Sequence, residues 1–407
     1  MKVRAVLVTL ALTFLLTGCW DRVEIEDQIF PIAIAVDKGV VHKYRMAVRI
    51  PMVGTIRTGM LGGERSKTTS EIVTVEAESV VQGIFTANAT ATRRFTLRHL
   101  RGIAVGEDLA REGLGDLYME LSRNGEVRDT AAFFVVRGSA VEFLKLARYP
   151  GEINPGKLAE GLLLVEKHLH MSPPIRLQHM LNRSGLLGVD PFAPVFGINR
   201  GVTGESQPPG TTASAIAGDL YRLDGNPAEL AGTGIFRDTR LVGYLTVDET
   251  QALLALRGEM GKAYMTFPDP FRPGDKIQIR FHQENKPKVR PSFNGQGPQV
   301  TIRLLFEGEV LSGTENFWDP AVRRRLEEAA RHHMEQQVQS VLAKTIKWGA
   351  DPVGFGLRFR SRFATWDDWS RYHWRTQVPK LKVTVTSEMR IRRFGLTLAP
   401  LQQKQEK

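Results

Sequence analysis

The chain has 407 residues, of which 42% are hydrophobic and 24% are charged, and its formal net charge is +11. This length and composition allow sizeable cores in two or three domains and exclude a disordered stalk. The positive excess suits either an anionic membrane surface or a solvated, arginine-rich surface without a partner.

The N-terminus carries the features of an export signal. Lys2 and Arg4 give a positive start, and the apolar run that follows to Leu16 is shorter than the roughly 20 residues that span a bilayer as a helix. We therefore predict a lipoprotein signal peptide over residues 1–18 that is cleaved during export. An exported protein seldom meets nucleic acid, so no nucleic-acid partner is predicted.

The cleavage point predicts a lipid anchor. Leu16-Thr17-Gly18-Cys19 resembles the lipobox of bacterial lipoproteins, in which the cysteine is acylated, for example by palmitate, and becomes the new N-terminus. Cys19 is the only cysteine, so the chain cannot form an internal disulfide. Buried acyl chains contribute about 0.8 kcal/mol per methylene, so several chains on Cys19 hold a protein firmly. An ordinary signal peptide beside an incidental cysteine is the alternative.

Residues 19–182 are predicted to form an N-terminal α/β domain. A strand pair over 32–36 and 44–50 is followed by a loop over 54–71. Beyond the loop, apolar strands alternate with helical patterns. The strands are at 100–105 and 131–136, and the helices are at 79–89, 107–121, 141–147, 158–168 and 175–181. Continuously apolar strands are typical of sheets covered by helices, so the fold class is α/β with mixed sheets in a multidomain chain.

Residues 183–228 are rich in Gly, Pro, Ser and Thr and are predicted to be a connection with a short middle segment. Residues 229–397 then form the predicted C-terminal domain, and residues 398–407 a polar tail. Its expected elements are a hairpin over 231–245, a capping box at Thr246 and Glu249, strands over 276–281 and 300–306, a long helix after Asp319-Pro320, a helix over 366–376 and a closing strand from Leu381. The long helix is expected to pack against a sheet.

No constellation of catalytic or metal-binding residues is evident in the sequence. His168, His170 and His179 could suggest zinc, as could His332 and His333, but adjacent or alternate positions on a helix do not share a face, so a structural role is favoured. The pairs Asp367-Asp368 and Glu327-Glu328 are interpreted as helix charges instead of an acid/base dyad. We therefore predict a non-enzyme with no cofactor and no metal.

An aromatic cluster near the C-terminus has two interpretations. Trp366, Trp369 and His373 recur at spacings of three and four, with Tyr372 and Trp374 beside them. Such a stripe packs against a sheet more often than it binds a ligand or sugar, so the core interpretation is preferred.

Several segments together resemble the Ger(x)C lipoproteins, the C subunits of nutrient germinant receptors of spore-forming bacteria. The resemblance begins at Cys19-Trp20-Asp21-Arg22-Val23-Glu24-Ile25 and covers nearly the whole mature chain. The further matching segments are Ala104-Val105-Gly106-Glu107-Asp108, Gly234-Ile235-Phe236-Arg237-Asp238, Asp351-Pro352-Val353-Gly354-Phe355-Gly356, Trp374 and Val378-Pro379-Lys380-Leu381.

The resemblance implies a non-catalytic subunit, lipid-anchored through Cys19 on the outer face of the spore inner membrane. It implies two partners, the integral membrane A and B subunits, with which the chain triggers germination. Two other classes stay open. A solute-binding lipoprotein would need a cleft between two similar lobes, and a cell-wall hydrolase would need a catalytic site.

Overall fold

The fold is taken from a computed structural model. It describes residues 22–51, 70–147, 169–203, 212–295 and 297–395, together with the single residues Arg4 and Gly161. Cys19, His168 and the polar tail lie outside the described residues, as do nearly all of the loop predicted over 54–71 and of the helix predicted over 158–168. Within the described ranges no helix is both long and apolar enough to cross a bilayer.

The described chain contains the following strands: β1 Gln28–Ile29, β2 Ala33–Lys38, β3 Tyr44–Pro51, β4 Ser70–Ala77, β5 Arg94–Phe95, β6 Gly102–Gly106, β7 Ala132–Val136, β8 Phe192–Ile198, β9 Ala228–Arg237, β10 Arg240–Leu245, β11 Lys262–Pro268, β12 Lys276–Gln283, β13 Lys288–Asn294, β14 Gly297–Val310 and β15 Lys382–Arg393. The α-helices are α1 Val80–Asn88, α2 Glu107–Glu112, α3 Gly115–Arg123, α4 Ala140–Leu146, α5 Leu177–Ser184, α6 Val247–Arg257, α7 Pro320–Trp348, α8 Phe355–Arg360, α9 Trp366–Arg371 and α10 Trp374–Gln377.

Eight strands form the first sheet in the order β10-β9-β8-β7-β6-β2-β3-β4. The four middle strands β8, β7, β6 and β2 run parallel, and the flanking hairpins run antiparallel. Apolar side chains project from both faces of this sheet, and helices cover both faces. Met46 packs under α1 at Gly83 on one face. On the other face Phe196 packs both on Phe134 and on Phe143 of α4. The predicted α/β class is thereby confirmed.

The structure differs from the prediction at residues 183–228. Phe192–Ile198 is not loop but the buried strand β8, paired with β7 on one side and β9 on the other. The hairpin β9–β10, predicted for the C-terminal domain, therefore joins the first sheet. Pro194 and Gly197 obscured this strand in the sequence. The sheet accommodates Pro194 at an irregularity in the β8–β9 pairing, where a missing N–H costs less.

The second sheet has five strands. Four of them follow the order β11-β12-β14-β13, and the fifth, β15, also pairs with β14 and runs parallel to it. The 29-residue helix α7 packs against it through a buried stripe at helical spacing. The stripe consists of Leu326, Ala330, Met334, Val338 and Val341. Asp319 caps the start of the helix and Gly349 ends it in a left-handed conformation, so the predicted long helix on a sheet is confirmed.

Helix α6 joins the two sheets. Ten of its eleven residues are buried, and it contacts β9 of the first sheet, β14 of the second and α7. The predicted capping box holds, since Thr246 Oγ1 accepts from the Glu249 N–H and Glu249 Oε2 accepts from the Thr246 N–H at 2.9 Å. One continuous hydrophobic cluster runs from Ile34 in β2 to Ile391 in β15.

The structure differs locally from the prediction in three places. The helix predicted over 107–121 is two helices, because Gly113 adopts a positive φ of 131° between them. The helix predicted over 366–376 is broken at His373, whose φ is 48°. Residues 288–294, between the strands predicted over 276–281 and 300–306, form the additional strand β13, in which Pro291 pairs with Val300. Within the described ranges β13 pairs only with β14, and such an edge position tolerates proline.

Candidate functional site

The predicted lipid attachment residue Cys19 lies outside the described residues, which resume at Arg22. Arg22 pairs with Glu24 at 2.5 Å, and Val23 and Ile25 expose about half or more of their surface. The chain then pairs through β1 with β5 and enters the first sheet at Ala33. Lipidation of Cys19 remains a prediction from the sequence.

The histidines serve as structural donors and acceptors. His170 is buried, and its two ring nitrogens lie 2.9 Å from the Lys262 carbonyl oxygen and 3.0 Å from the Gly261 nitrogen. His179 accepts from the Arg176 N–H at the start of α5. His333 lies 3.0 Å from Asp248. No group of three or more His, Cys, Asp or Glu residues within the described ranges is arranged to hold a metal.

The acidic pairs are also held by neighbouring groups. Asp368 accepts from Thr365 and Arg371, and these contacts lower the pKa of its carboxyl group, with the Thr365 hydrogen bond the largest cause. Glu327 accepts from the Ile391 N–H at 2.8 Å and so ties α7 to β15. Both observations agree with the interpretation as helix charges.

The aromatic stripe is divided between core and surface. Trp369 is 1% exposed and packs against Phe363, Tyr372 and Trp374. Trp366 is 55% exposed, and the guanidinium carbon of Arg360 lies 5.5 Å from its ring centroid. The core interpretation is therefore right for Trp369 and wrong for Trp366, which is the first residue of α9 and leaves its ring in solvent.

The centre of this region is the buried carboxylate of Asp351. Its Oδ1 accepts from the N–H groups of Gly354 and Phe355, at 2.8 and 3.0 Å. Its Oδ2 accepts from the Gly356 N–H at 2.8 Å and from the Trp374 indole Nε1 at 2.9 Å. One side chain thus organises the start of α8 and the start of α10.

Asp190 connects this carboxylate to the first sheet. Its Oδ2 accepts from the Asp351 N–H at 2.8 Å, and its Oδ1 accepts from the Asp238 N–H at 2.9 Å. Arg375 donates to both Asp190 and Asp238. We call these five residues, Asp190, Asp238, Asp351, Trp374 and Arg375, the Asp351 cluster. It fastens the C-terminal helices to the start of β8 and to the turn between β9 and β10.

Two glycines allow this close approach. A Cβ at Gly356 would lie 2.5 Å from both the Gly188 Cα and the Trp374 Nε1. Gly188 has a φ of 98°, and a Cβ there would lie 2.9 Å from Trp369. Only glycine leaves room for two backbone segments and an indole ring to meet here.

Burial raises the pKa of Asp351 to about 6, although its four donors favour the charged form. Burial likewise raises the pKa of Asp190. A cleft of about 210 Å³ opens beside the cluster, lined by Val189, Asp190, Trp369, His373 and Arg375 among others. Both oxygens of Asp351 accept from donors of the protein itself, so this side chain joins the segments that carry those donors.

Asp190 and Arg375 were not singled out from the sequence. Asp190 precedes Pro191 in the stretch interpreted as connection, and Arg375 is one of many arginines. By contrast, Asp238, Asp351 and Trp374 belong to the segments that carry the family resemblance, and the structure brings them together. The position of Asp190 just before β8 could have identified it in the sequence, had that strand been recognised.

The sequence matches two family models. Residues 21–198 match the spore germination protein N-terminal domain, and residues 231–395 match the spore germination B3/GerAC-like C-terminal domain. Between them the two models cover most of the chain.

Individual relatives agree along their whole length. Putative spore germination protein YfkR of Bacillus subtilis is 25% identical over 95% of both chains. Spore germination protein KC of the same organism is 25% identical over 98% of this chain and 97% of the relative. The crystal structure of the GerBC protein shares the fold with a TM-score of 0.54 and 19% identity, over 88% of this chain and 96% of that one.

The two regions matched by the family models, residues 21–198 and 231–395, meet at the Asp351 cluster. Both regions are matched by models of spore germination proteins, so the chain has a role in spore germination. The chain is a member of the spore germination B3/GerAC-like family.

Proposed function

We propose that this chain is the lipid-anchored, non-catalytic C subunit of a spore nutrient germinant receptor. In this proposal acylated Cys19 holds it on the outer face of the spore inner membrane. There it assembles with the integral membrane A and B subunits to trigger germination. The observation that carries the proposal is the family match over both halves of the chain, together with the lipobox-like sequence Leu16-Thr17-Gly18-Cys19.

The arrangement of the described residues is consistent with a non-catalytic role. The buried carboxylates Asp190, Glu249 and Asp351 all accept hydrogen bonds from the protein itself, so their acceptor capacity is used in holding elements together. A tether to the membrane raises the effective concentration of partners on the same surface, so a weak contact between subunits can suffice.

The solute-binding alternative is not favoured by the architecture. It calls for two similar lobes around a cleft, whereas the two sheets have eight and five strands in different orders. A rise in the melting temperature of the protein with one class of solute would support the solute-binding alternative, because a ligand stabilises the folded state by RT ln(1 + [L]/Kd).

The proposal is tested in the spore-forming host with the native gene and a Cys19→Ala variant. The expected result is a mature chain that begins at Cys19 with added acyl mass and copurifies with membrane subunits. In the variant the acyl mass is absent, membrane retention falls and nutrient-triggered germination slows. An unmodified chain in the soluble fraction of the native strain would contradict the anchor.

A second measurement separates the anchor from the assembly. Crosslinking of intact spore membranes, followed by mass spectrometry, should connect this chain to integral membrane subunits. An acylated chain without such crosslinks would leave the anchor in place and contradict the receptor role.

A further inference from the structure

An exposed surface beside the Asp351 cluster combines apolar and positively charged side chains. Leu187, Leu357 and Trp366 each leave about half of their surface in solvent. Leu187 and Leu357 meet in one place, because the Leu357 N–H donates to the carbonyl oxygen of neighbouring Gly188 at 3.2 Å. Exposed apolar groups gathered in this way mark an interaction site more often than chance exposure.

Arginines lie in the same segment as Leu357 and Trp366. Between residues 352 and 366 the chain carries Arg358, Arg360 and Arg362 and no acidic residue, and the exposed Asp367 directly follows Trp366. Arg360 lies over the ring of Trp366, and Arg362 donates to the Pro291 carbonyl oxygen at 3.1 Å. We call Leu187, Leu357, Arg358, Arg360, Arg362 and Trp366 the basic apolar patch. Its composition is that of surfaces that enter the headgroup region of anionic membranes.

Leu187 and Leu357 bring one side of the patch to the edge of the first sheet where the N-terminal segment arrives. The strands β2, β6, β7 and β8 are parallel neighbours, so their first residues lie along one edge. Ala33 pairs with Gly102, which pairs with Ala132, at the start of the first three. The residues 187–188 come immediately before β8 at this same edge, and the chain from Cys19 enters β2 there.

Chain length limits how far a lipid at Cys19 can be from the first described residue of the N-terminal segment. Three residue steps separate Cys19 from Arg22, and an extended chain spans at most about 3.6 Å per residue, so Cys19 lies within about 11 Å of Arg22, from which the segment leads to β2. The opposite edge carries the β2–β3 turn, where Val40 and Val41 are more exposed than the apolar patch residues Leu187, Leu357 and Trp366. The two edges cannot both face one membrane.

We propose that the basic apolar patch rests on the anionic lipid surface, with its arginines at the phosphates and Leu187, Leu357 and Trp366 at the boundary of the acyl chains. This orientation rests on the proposed anchor at Cys19. It sets the first sheet upright, so that the Val40 end points away from the membrane. The patch supplies a second membrane contact beside the acyl chains, which fixes orientation as well as attachment.

The test uses the full acylated chain in lipid vesicles. Because Cys19 is the only native cysteine, Leu357→Cys and Trp366→Cys each add one free thiol for an environment-sensitive fluorophore. Val40→Cys is the matched control at an exposed apolar position on the opposite edge. Vesicles of phosphatidylglycerol and phosphatidylethanolamine are compared with vesicles of phosphatidylcholine alone, and acyl mass at Cys19 is measured on the same samples.

In the anionic vesicles we expect the fluorophores at positions 357 and 366 to shift to shorter emission wavelengths and to be protected from quenching by iodide. Both effects should be smaller in phosphatidylcholine vesicles, and the fluorophore at position 40 should not change in either.

One contradicting outcome concerns the patch alone. If the chain is acylated but the fluorophores at 357 and 366 stay as exposed to water as the fluorophore at 40, the patch does not contact lipid. An emission shift that appears only when membrane subunits are added also overturns the lipid contact, because it assigns the patch to a protein partner. Equal shifts in both vesicles overturn the anionic-lipid assignment. A chain without acyl mass overturns the anchor, and the orientation falls with it.

Discussion

Asp190 and Asp351 bind each other through a reciprocal pair of hydrogen bonds. The Asp351 N–H donates to the Asp190 carboxylate at 2.8 Å, and the Asp190 N–H donates to the Asp351 carbonyl oxygen at 2.9 Å. The two residues are 161 positions apart in the chain. This contact joins the start of a central strand of the first sheet to the segment that follows the long helix.

Replacing Asp351 is expected to destabilise the fold strongly. Asp351→Ala leaves three N–H groups and the Trp374 indole without their acceptor in a buried site, and each unsatisfied donor costs about 1–3 kcal/mol. We expect the free energy of unfolding in urea to fall by about 3 kcal/mol or more. Asp367→Ala, at an exposed acidic residue, is the control and should change it little. Equal losses in the two variants would contradict the role of the cluster.

The raised pKa of Asp351 predicts a pH dependence of stability. Folded Asp351 keeps its proton up to about pH 6, because its pKa is raised to about 6, whereas the unfolded chain releases it near the ordinary aspartate pKa of 3.8. The folded state therefore binds more protons in this window, and this contribution to stability is full below about pH 4 and is lost as pH rises through about 6. Asp190 acts in the same direction, and Arg375, which faces it, opposes.

The measurement compares urea unfolding of the native chain and of Asp351→Asn from pH 4 to pH 7. The difference in free energy of unfolding, native minus variant, should fall with rising pH by up to about 3 kcal/mol. A difference that is constant or rises with pH would show that the four donors hold the carboxylate ionised throughout.

Gly356 is expected to tolerate no side chain. The Cβ added by Gly356→Ala would lie 2.5 Å from the Gly188 backbone and from the Trp374 indole, so the two segments must separate. Overpacking of this kind costs about 1–3 kcal/mol. Gly125→Ala is the matched control, since nothing lies within 4 Å of its Cβ. Thermal unfolding of both variants should lower the melting temperature for Gly356→Ala alone, and similar melting temperatures would refute the close packing.

The two tryptophans of the predicted stripe should behave differently. Trp369→Ala opens a cavity in the core, and such truncations cost about 3–5 kcal/mol. Trp366→Ala removes an exposed ring and its contact with Arg360, so we expect a loss below about 1 kcal/mol. Unfolding in urea compares the two. A large loss for Trp366→Ala would mean that this ring packs inside the protein.

The local elements could be predicted because their signals are local. Thr246 and Glu249 meet within one helical turn, and Asp319, Pro320 and Gly349 mark the ends of α7 through their own backbone preferences. The strand pair β2–β3 follows from alternating strand and turn residues close in sequence. Strand β8 was hidden because Pro194 and Gly197 give it the composition of a loop, and its burial comes from neighbours distant in the chain.

The sequence by itself determined the α/β class, the capping box of α6, the ends of the long helix α7, the lipobox prediction at Cys19 and the resemblance to the germination family. The tertiary structure alone decided that β8, β9 and β10 complete the first sheet. It also decided that Asp190 and Arg375 join Asp351, and that Trp366 lies in solvent beside Arg360. The reason is physical: caps, turns and periodicity depend on residues within a few positions, whereas sheet membership and buried ionic contacts depend on which distant segments can share one core.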